Sequence, residues 1–85
     1  MRIDEIVSIS DETLGGTPVF KGTRVPIESL FQHIESGITL NDFLDDFPSV
    51  TKENAIAMMQ FSNNLLLSVL PTLLDDKTLT RRKSA

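Results

Sequence analysis

The sequence predicts a mainly α-helical single domain that begins with a short β-hairpin or extended arm. Apolar side chains recur at helical spacing in three successive segments between residues 26 and 70. Glycine and proline residues separate these segments, while β-branched residues are concentrated in short pieces before residue 26. The chain has 85 residues, of which 40% are hydrophobic, so it can form one small core and no more.

The N-terminal arm, residues 1–25, contains two candidate strands. Residues 6–9 are rich in β-branched side chains, and residues 18–21 can form a second strand with proline confined to its start. Between them Gly15 and Gly16 supply a turn, and Gly22 ends the second strand. A hairpin is therefore expected before the helical body.

The first two helices of the body, which spans residues 26–70, are short. Pro26 suits the start of a helix, and apolar residues follow it at positions 27, 30, 31 and 34 until Gly37 ends the helix. Thr39 is the predicted N-cap of the second helix, with Asp42 in the place where a capping box carries glutamate. Pro48 stops this helix.

The third helix is the longest. Thr51 is its predicted N-cap, apolar side chains continue to residue 70, and Pro71 is expected to end or kink it. A short helix, a tight turn and a longer helix behind a first helix form a tri-helical helix-turn-helix body of the homeodomain-like or winged-helix-like kind. Residues 71–85 are left as a C-terminal tail of the same domain.

The stretch GGTPVFKGTRVP, residues 15–26, resembles a phosphate-binding loop only in composition. A phosphate-binding P-loop needs glycine, then lysine, then serine or threonine, whereas this chain has the order Lys21, Gly22, Thr23. The glycines do not have dinucleotide-binding spacing either. We therefore interpret the stretch as a structural turn into the first helix.

The same stretch, continued through IESLFQHIESGITLNDFLDDFPSVTKENAIAMM, resembles the bacterial domain-of-unknown-function 433 family. The shared pattern is Gly-Gly-x-Pro-x-x-x-Gly-Thr-Arg-x-Pro, a helix ending near glycine, and an acidic and aromatic helix ending in Asp-x-Phe-Pro. It covers about residues 3–66. The resemblance implies a helix-turn-helix protein of the VapB antitoxin type, which binds a PIN-like ribonuclease toxin and often represses its own operon.

Two parts of the chain depart from that pattern. Relatives tend to have an alanine-rich, tyrosine-containing segment where this chain has Met-Met-Gln-Phe at residues 58–61. The last residues match no pattern of the family, so the identity of the toxin does not carry over.

The sequence contains no set of side chains typical of an active site. It has no cysteine, and its one histidine, His33, is expected to lie on the surface. The serines lack a histidine and acid at a spacing suited to nucleophilic catalysis. Adjacent carboxylates on a helix point about 100° apart and do not share a site. We expect no enzyme activity, no catalytic residue, no cofactor and no metal.

DNA binding is a weaker expectation. In a helix-turn-helix body the first turn of the third helix enters the major groove. The candidate contacts are Arg24, Thr51, Lys52, Asn54 and Gln60. The net charge of −4 and the acidic body disfavour binding by an isolated monomer, and a polar stripe on this helix is equally explained as its solvated face.

The chain carries more apolar residues late in its sequence than three short elements can cover. Such surplus indicates an interface with a homodimer partner, a toxin, or both, although folding of the tail onto its own core is an alternative. The predicted partner-binding residues are Phe61, Leu65, Leu67, Leu70, Leu73, Leu74, Leu79, Arg81 and Arg82.

The sequence thus predicts an antitoxin that neutralises a PIN-like ribonuclease toxin by direct binding and autoregulates its operon through operator DNA. The alternatives are a stand-alone dimeric DNA-binding transcriptional regulator and a plain dimeric scaffold. The absence of cysteine and of a signal peptide predicts a cytoplasmic location. Its uninterrupted apolar runs are short, so we expect no membrane span, and no small-molecule substrate is indicated.

Overall fold

The structure is a computed structural model, and it describes residues 2–75. Two strands, β1 (Val7–Ser8) and β2 (Val19–Phe20), precede three helices, α1 (Ile27–Glu35), α2 (Leu40–Asp46) and α3 (Lys52–Leu74). Single 3-10 turns occupy Ile3–Glu5 and Leu14–Gly16. The predicted fold class, mainly helical with a short N-terminal hairpin, is confirmed.

The hairpin is antiparallel and shorter than predicted. Val7 pairs with Phe20 and Ser8 with Val19, and the Lys21 N–H donates to the Ile6 carbonyl at 2.8 Å. The connection cannot extend the strands because Leu14, Gly15 and Gly16 all have positive φ, at 51°, 64° and 92°. Only glycine tolerates that backbone region readily, so the pair of glycines fixes where the chain reverses.

The turn after β2 is built by hydrogen bonds within the loop itself. The Phe20 N–H donates to the Val25 carbonyl at 2.9 Å, and the Thr23 N–H and hydroxyl both donate to the Phe20 carbonyl. The Thr23 hydroxyl also accepts from the Val25 N–H at 3.0 Å. Four backbone and hydroxyl donors that could have faced a phosphate are therefore engaged in forming the turn, which agrees with the structural interpretation.

Helix α1 ends in a complete Schellman motif. The Ile38 N–H donates to the His33 carbonyl at 2.9 Å and the Gly37 N–H to the Ile34 carbonyl at 3.0 Å. Gly37 lies at φ 86°, as the motif requires. The predicted end of the first helix is confirmed.

Threonine caps begin α2 and α3, as predicted. The Thr39 hydroxyl accepts from the Asp42 N–H and the Thr51 hydroxyl from the Asn54 N–H, each at 3.1 Å. In a capping box, the backbone N–H of Thr39 would also donate to the side chain at position 42, and among the described residues the Asp42 carboxylate does not accept this bond. The aspartate side chain is one methylene shorter than the glutamate of a capping box.

The core lies where the hairpin, α1, α2 and the first half of α3 meet. Val19, Phe20, Leu30 and Phe43 are almost completely buried. Other buried members are Ile6, Val25, Val50, Ala55 and Met58. No buried core residue lies beyond Met58 in the described part of the chain, so most side chains of residues 61–74 lie outside the core.

His33 does not lie on the surface, and that expectation was wrong. The imidazole is half-buried and meets the edges of Phe43 and Phe47 at centroid distances of 5.3 and 5.4 Å. Its Nδ1–H donates to the Ser29 carbonyl at 2.6 Å. Helix α2 docks against the side of α1 that carries His33, so the packed face is wider than the apolar stripe alone.

Of the two outcomes expected at Pro71, an end or a kink of α3, the end was wrong. The helix passes through Pro71 to Leu74, and the Asp75 N–H donates to the Pro71 carbonyl at 2.9 Å. Proline has a helical φ and lacks only its own donor, so a helix can continue beyond it at a cost. The projecting helix makes the molecule elongated, at 47 × 29 × 24 Å with a radius of gyration of 16.1 Å. A compact domain of this size would have a radius of about 12 Å.

Candidate interaction surface on helix α3

The second half of α3, residues 61–74, carries the largest set of exposed apolar side chains in the described chain. Its leucines 65, 66, 67, 73 and 74 are 50–57% exposed, and Phe61 and Val69 are 36% and 39% exposed. At 1.5 Å per residue this half extends for about 21 Å. Exposed leucines are common singly, whereas a continuous series on one helix is typical of an interaction surface.

The same part of the chain has no ionisable side chain. Every residue from 54 to 74 is uncharged, whereas the body carries exposed acids on α1, α2 and the first turn of α3. Residues 26–70 contain six acidic residues and Lys52 as the one basic residue. The molecule therefore joins an acidic body to a neutral, apolar projecting helix.

One side of α3 is polar along its whole length. Glu53, Gln60, Asn64 and Ser68 follow one another at intervals that place them on the same side, and all four are exposed. This polar stripe, anticipated from the sequence, faces solvent. The apolar side chains occupy most of the remaining circumference of the helix. The exposed half therefore has a broad apolar surface, and the polar stripe lies on its opposite side.

Two depressions lie near the point where α3 leaves the body. An apolar groove of about 510 Å³ is lined by Ile3, Val7, Ile9, Pro18, Ile27, Glu28 and Met58. A smaller cavity of about 150 Å³ is lined by Ile6, Ala57, Gln60, Phe61 and Asn64. Ile3 and Ile9, exposed by 36% and 65%, add apolar surface that the sequence analysis did not assign to an interface.

The residues predicted to bind DNA do not form one compact group. Thr51 uses its hydroxyl to cap α3, and Lys52 and Asn54 point roughly 160° apart because they are two positions apart on a helix. Gln60 lies on the polar stripe, about 9 Å further along the helix axis than Asn54. Arg24 is exposed in the loop between β2 and α1 and forms no ion pair with Glu28 or any other described residue.

The predicted partner-binding residues fall into two groups. Phe61, Leu65, Leu67, Leu73 and Leu74 are exposed and Leu70 is half-exposed, all on the second half of α3. Leu79, Arg81 and Arg82 lie outside the described residues. Leu66 and Val69 are exposed on the same helix but were not predicted, although their spacing from Leu73 is that of one helical face.

By length and composition alone, helix α3 is also long and apolar enough to cross a membrane. This property was not predicted from the sequence because asparagine, glutamine and serine interrupt the apolar runs of the helix. These residues lower the mean hydropathy less than charged residues do, so the helix as a whole remains apolar. The first half of the helix is packed on the body, however, and the exposed 21 Å falls short of the roughly 30 Å of a hydrocarbon core. Asn63 and Asn64 lie within that exposed segment.

Within residues 2–75 no group of three or more histidine, aspartate or glutamate side chains is arranged to hold a metal ion.

Comparison with known proteins gives a family but no activity. Residues 7–62 match the family described as "Protein of unknown function (DUF433)". Over 49 residues the chain is 41% identical to "Uncharacterized protein y4eO" of Sinorhizobium fredii (strain NBRC 101917 / NGR234). That match covers 58% of this chain and 22% of the relative, so the chain corresponds to about a fifth of that longer protein. No solved structure matches the chain significantly.

Proposed function

The chain belongs to the DUF433 family, and we propose that it is an antitoxin, a non-catalytic protein that neutralises a PIN-like ribonuclease toxin by covering it. The observation that carries the proposal is the exposed apolar half of α3. Residues 61–74 extend beyond the core with their leucines about half exposed. A small protein whose described residues include such an exposed apolar helix is suited to laying that helix in a groove of another protein.

The acidic body supports the choice of a basic, RNA-cutting partner. A ribonuclease needs positive charge where it holds the phosphate backbone, and the exposed acids of α1 and α2 would be attracted to such a surface. Attraction of this kind raises the association rate more than the final affinity. In this proposal the acids guide the encounter, and the apolar half of α3 provides the stable contact.

The match to the family ends at residue 62, shortly after α3 leaves the body. The exposed half of the helix therefore lies almost entirely outside the matched region. We propose that the matched body is the common scaffold and that the projecting half selects the partner of this particular chain.

The test is co-expression with the product of the adjacent reading frame. The unaltered chain should co-purify with that product and relieve the growth arrest it causes. Leu65→Asp should weaken the complex by at least about tenfold, since charge at the centre of an apolar interface removes a main contact. Asn64→Asp adds the same charge one residue away on the polar stripe and should leave binding intact. Failure to form a complex, or equal loss in both variants, would refute the proposal.

A second candidate, a dimeric DNA-binding transcriptional regulator, is favoured by the exposed first turn of α3 behind the α2–α3 turn. Lys52 is exposed and available for a phosphate contact, and the half-buried Asn54 has the side chain that would contact a base edge. Specific retardation of its own promoter without any partner, lost in the variant Lys52→Ala with Asn54→Ala, would favour this candidate. The operator-binding role of the antitoxin would require the same residues in the complex.

A further inference from the structure

We infer that the exposed half of α3 pairs in parallel with α3 of a second copy of this chain, with Asn63 fixing the alignment. The spacing of the residues provides the first evidence. Ile56, Met59, Asn63, Leu66, Leu70 and Leu73 follow one another at alternating intervals of three and four. This is the spacing of positions a and d in a coiled coil, with Ile56, Asn63 and Leu70 at a. We call Asn63, Leu66, Leu70 and Leu73 the seam.

The exposure of these residues shows where pairing can occur. Met59 is half-buried against the core and Ile56 is also half-buried, whereas Asn63, Leu66 and Leu73 are exposed. The same series thus continues from the body into the projecting half, which leaves residues 61–74, about four turns of each helix, available to a partner. Since the first half of α3 is anchored in the core, the helix is formed before it pairs, and pairing does not have to nucleate it.

Asn63 identifies the occupant as a second copy. In a parallel pair each a residue faces the same residue of the other chain, so Asn63 would meet Asn63 of its partner. An amide side chain both donates and accepts, and two facing amides therefore satisfy each other. An apolar groove of an unrelated protein would leave this amide buried without a hydrogen bond, and an antiparallel pair would place it opposite a leucine.

The distribution of charge along the chain also favours pairing between two copies. A two-fold pair brings identical residues together, which opposes association wherever those residues are charged. Residues 54–74 are uncharged, while the body is acidic, so two copies can share this segment without repulsion between its own side chains. Leu67 and Leu74 at position e and Val69 at position g flank the seam and widen the contact. Alignment is then set by Asn63 and not by ion pairs between e and g positions.

The seam leaves part of the surface free for the proposed toxin. Leu65 lies about 100° around the helix from Leu66, outside the seam, and Phe61 is on the same outer side. A paired α3 would still present these two side chains on each chain. The inference concerns the chain alone and does not depend on the proposed function, since it is measured without any other protein.

The first experiment compares two neighbouring leucines of equal exposure, Leu65 at 53% and Leu66 at 50%. Light scattering on the full chain should give twice the chain mass of 9.5 kDa. Leu66→Asp should reduce it to the single-chain mass, and Leu65→Asp should leave the dimer intact. Circular dichroism should show both variants folded, because both side chains lie outside the core. A single-chain mass for the unaltered protein, a tetramer, or equal loss in both variants would overturn the inference.

The second experiment tests the direction of pairing, and the absence of native cysteine makes it simple. Leu66→Cys and Leu73→Cys, made separately, should both form disulfide-linked dimers on mild oxidation, whereas Leu65→Cys should not. An antiparallel pair could link only the position nearest its centre, so cross-linking at one of the two would overturn a parallel arrangement. Asn63→Leu should keep the chains associated but replace the single dimer with a mixture of larger species.

The membrane alternative gives a different result in the same samples. A chain that floats with vesicles of phosphatidylcholine and phosphatidylglycerol, and has the single-chain mass without them, would assign the exposed half of α3 to lipid and overturn the inference.

Discussion

His33 illustrates how a single side chain can link two helices. Its ring lies against the edges of Phe43 and Phe47, which are themselves 4.9 Å apart, so three rings from α1 and α2 form one cluster. The Nδ1–H bond to Ser29 holds the imidazole in the plane that makes these contacts. The histidine therefore contributes to the packing of α2 on α1.

We expect His33→Ala to lower the free energy of unfolding by about 1–3 kcal/mol, from the loss of two aromatic contacts and of a half-buried ring. Urea denaturation followed by circular dichroism measures the effect. Gln32→Ala removes the exposed neighbouring side chain on the same helix and should change stability by less than about 0.5 kcal/mol. Equal effects of the two substitutions would show that the ring cluster does not stabilise the fold.

For single residues, the sequence predicted the features that depend only on neighbouring positions in the chain. The caps at Thr39 and Thr51 and the glycine end of α1 follow from short-range rules and are confirmed. The environment of His33 depends instead on where α2 docks, and no spacing within α1 reveals that. The exposure of Leu66 likewise depends on where the core stops.

The secondary-structure elements differ in how far their ends could be predicted. All three helices were predicted because each has its own apolar periodicity and its own N-terminal signal. The strands came out shorter than predicted, since only the pairs Val7–Phe20 and Ser8–Val19 form the ladder. Helix α3 came out longer, since Pro71 interrupts only one hydrogen bond and the apolar pattern continues to Leu74.

Pro71 should weaken the part of α3 that follows Leu67. It cannot donate to the Leu67 carbonyl, and proline in a helix interior costs roughly 3 kcal/mol relative to alanine. We therefore expect Pro71→Ala to increase the helical ellipticity at 222 nm and to slow amide exchange in residues 68–75. Thr72→Ala, at the next exposed position, should produce a much smaller gain. If the two variants behave alike, the helix is not limited by its proline.

For the whole molecule, the small core and the projecting helix both link stability to association. Among the described residues the buried core contains nine hydrophobic ones, and a chain of 85 residues buries only about 60–65% of its unfolded surface. Stability supplied by a core of this size is marginal, and pairing of α3 would add to it. Folding and association should then be linked, so the acidic body and the neutral helix are parts of one thermodynamic unit.

Linkage of this kind makes stability depend on protein concentration. If the folded dimer unfolds to two separate chains, each tenfold increase in concentration stabilises the dimer by about 1.4 kcal/mol, because mass action favours the associated state. The urea midpoint of the unaltered chain should therefore rise steadily as the concentration is raised. Leu66→Asp removes the pairing and should give a lower midpoint that is the same at every concentration. Asn64→Asp adds the same charge on the polar stripe and should keep the concentration dependence, so a constant midpoint for the unaltered chain would contradict the linkage between folding and pairing.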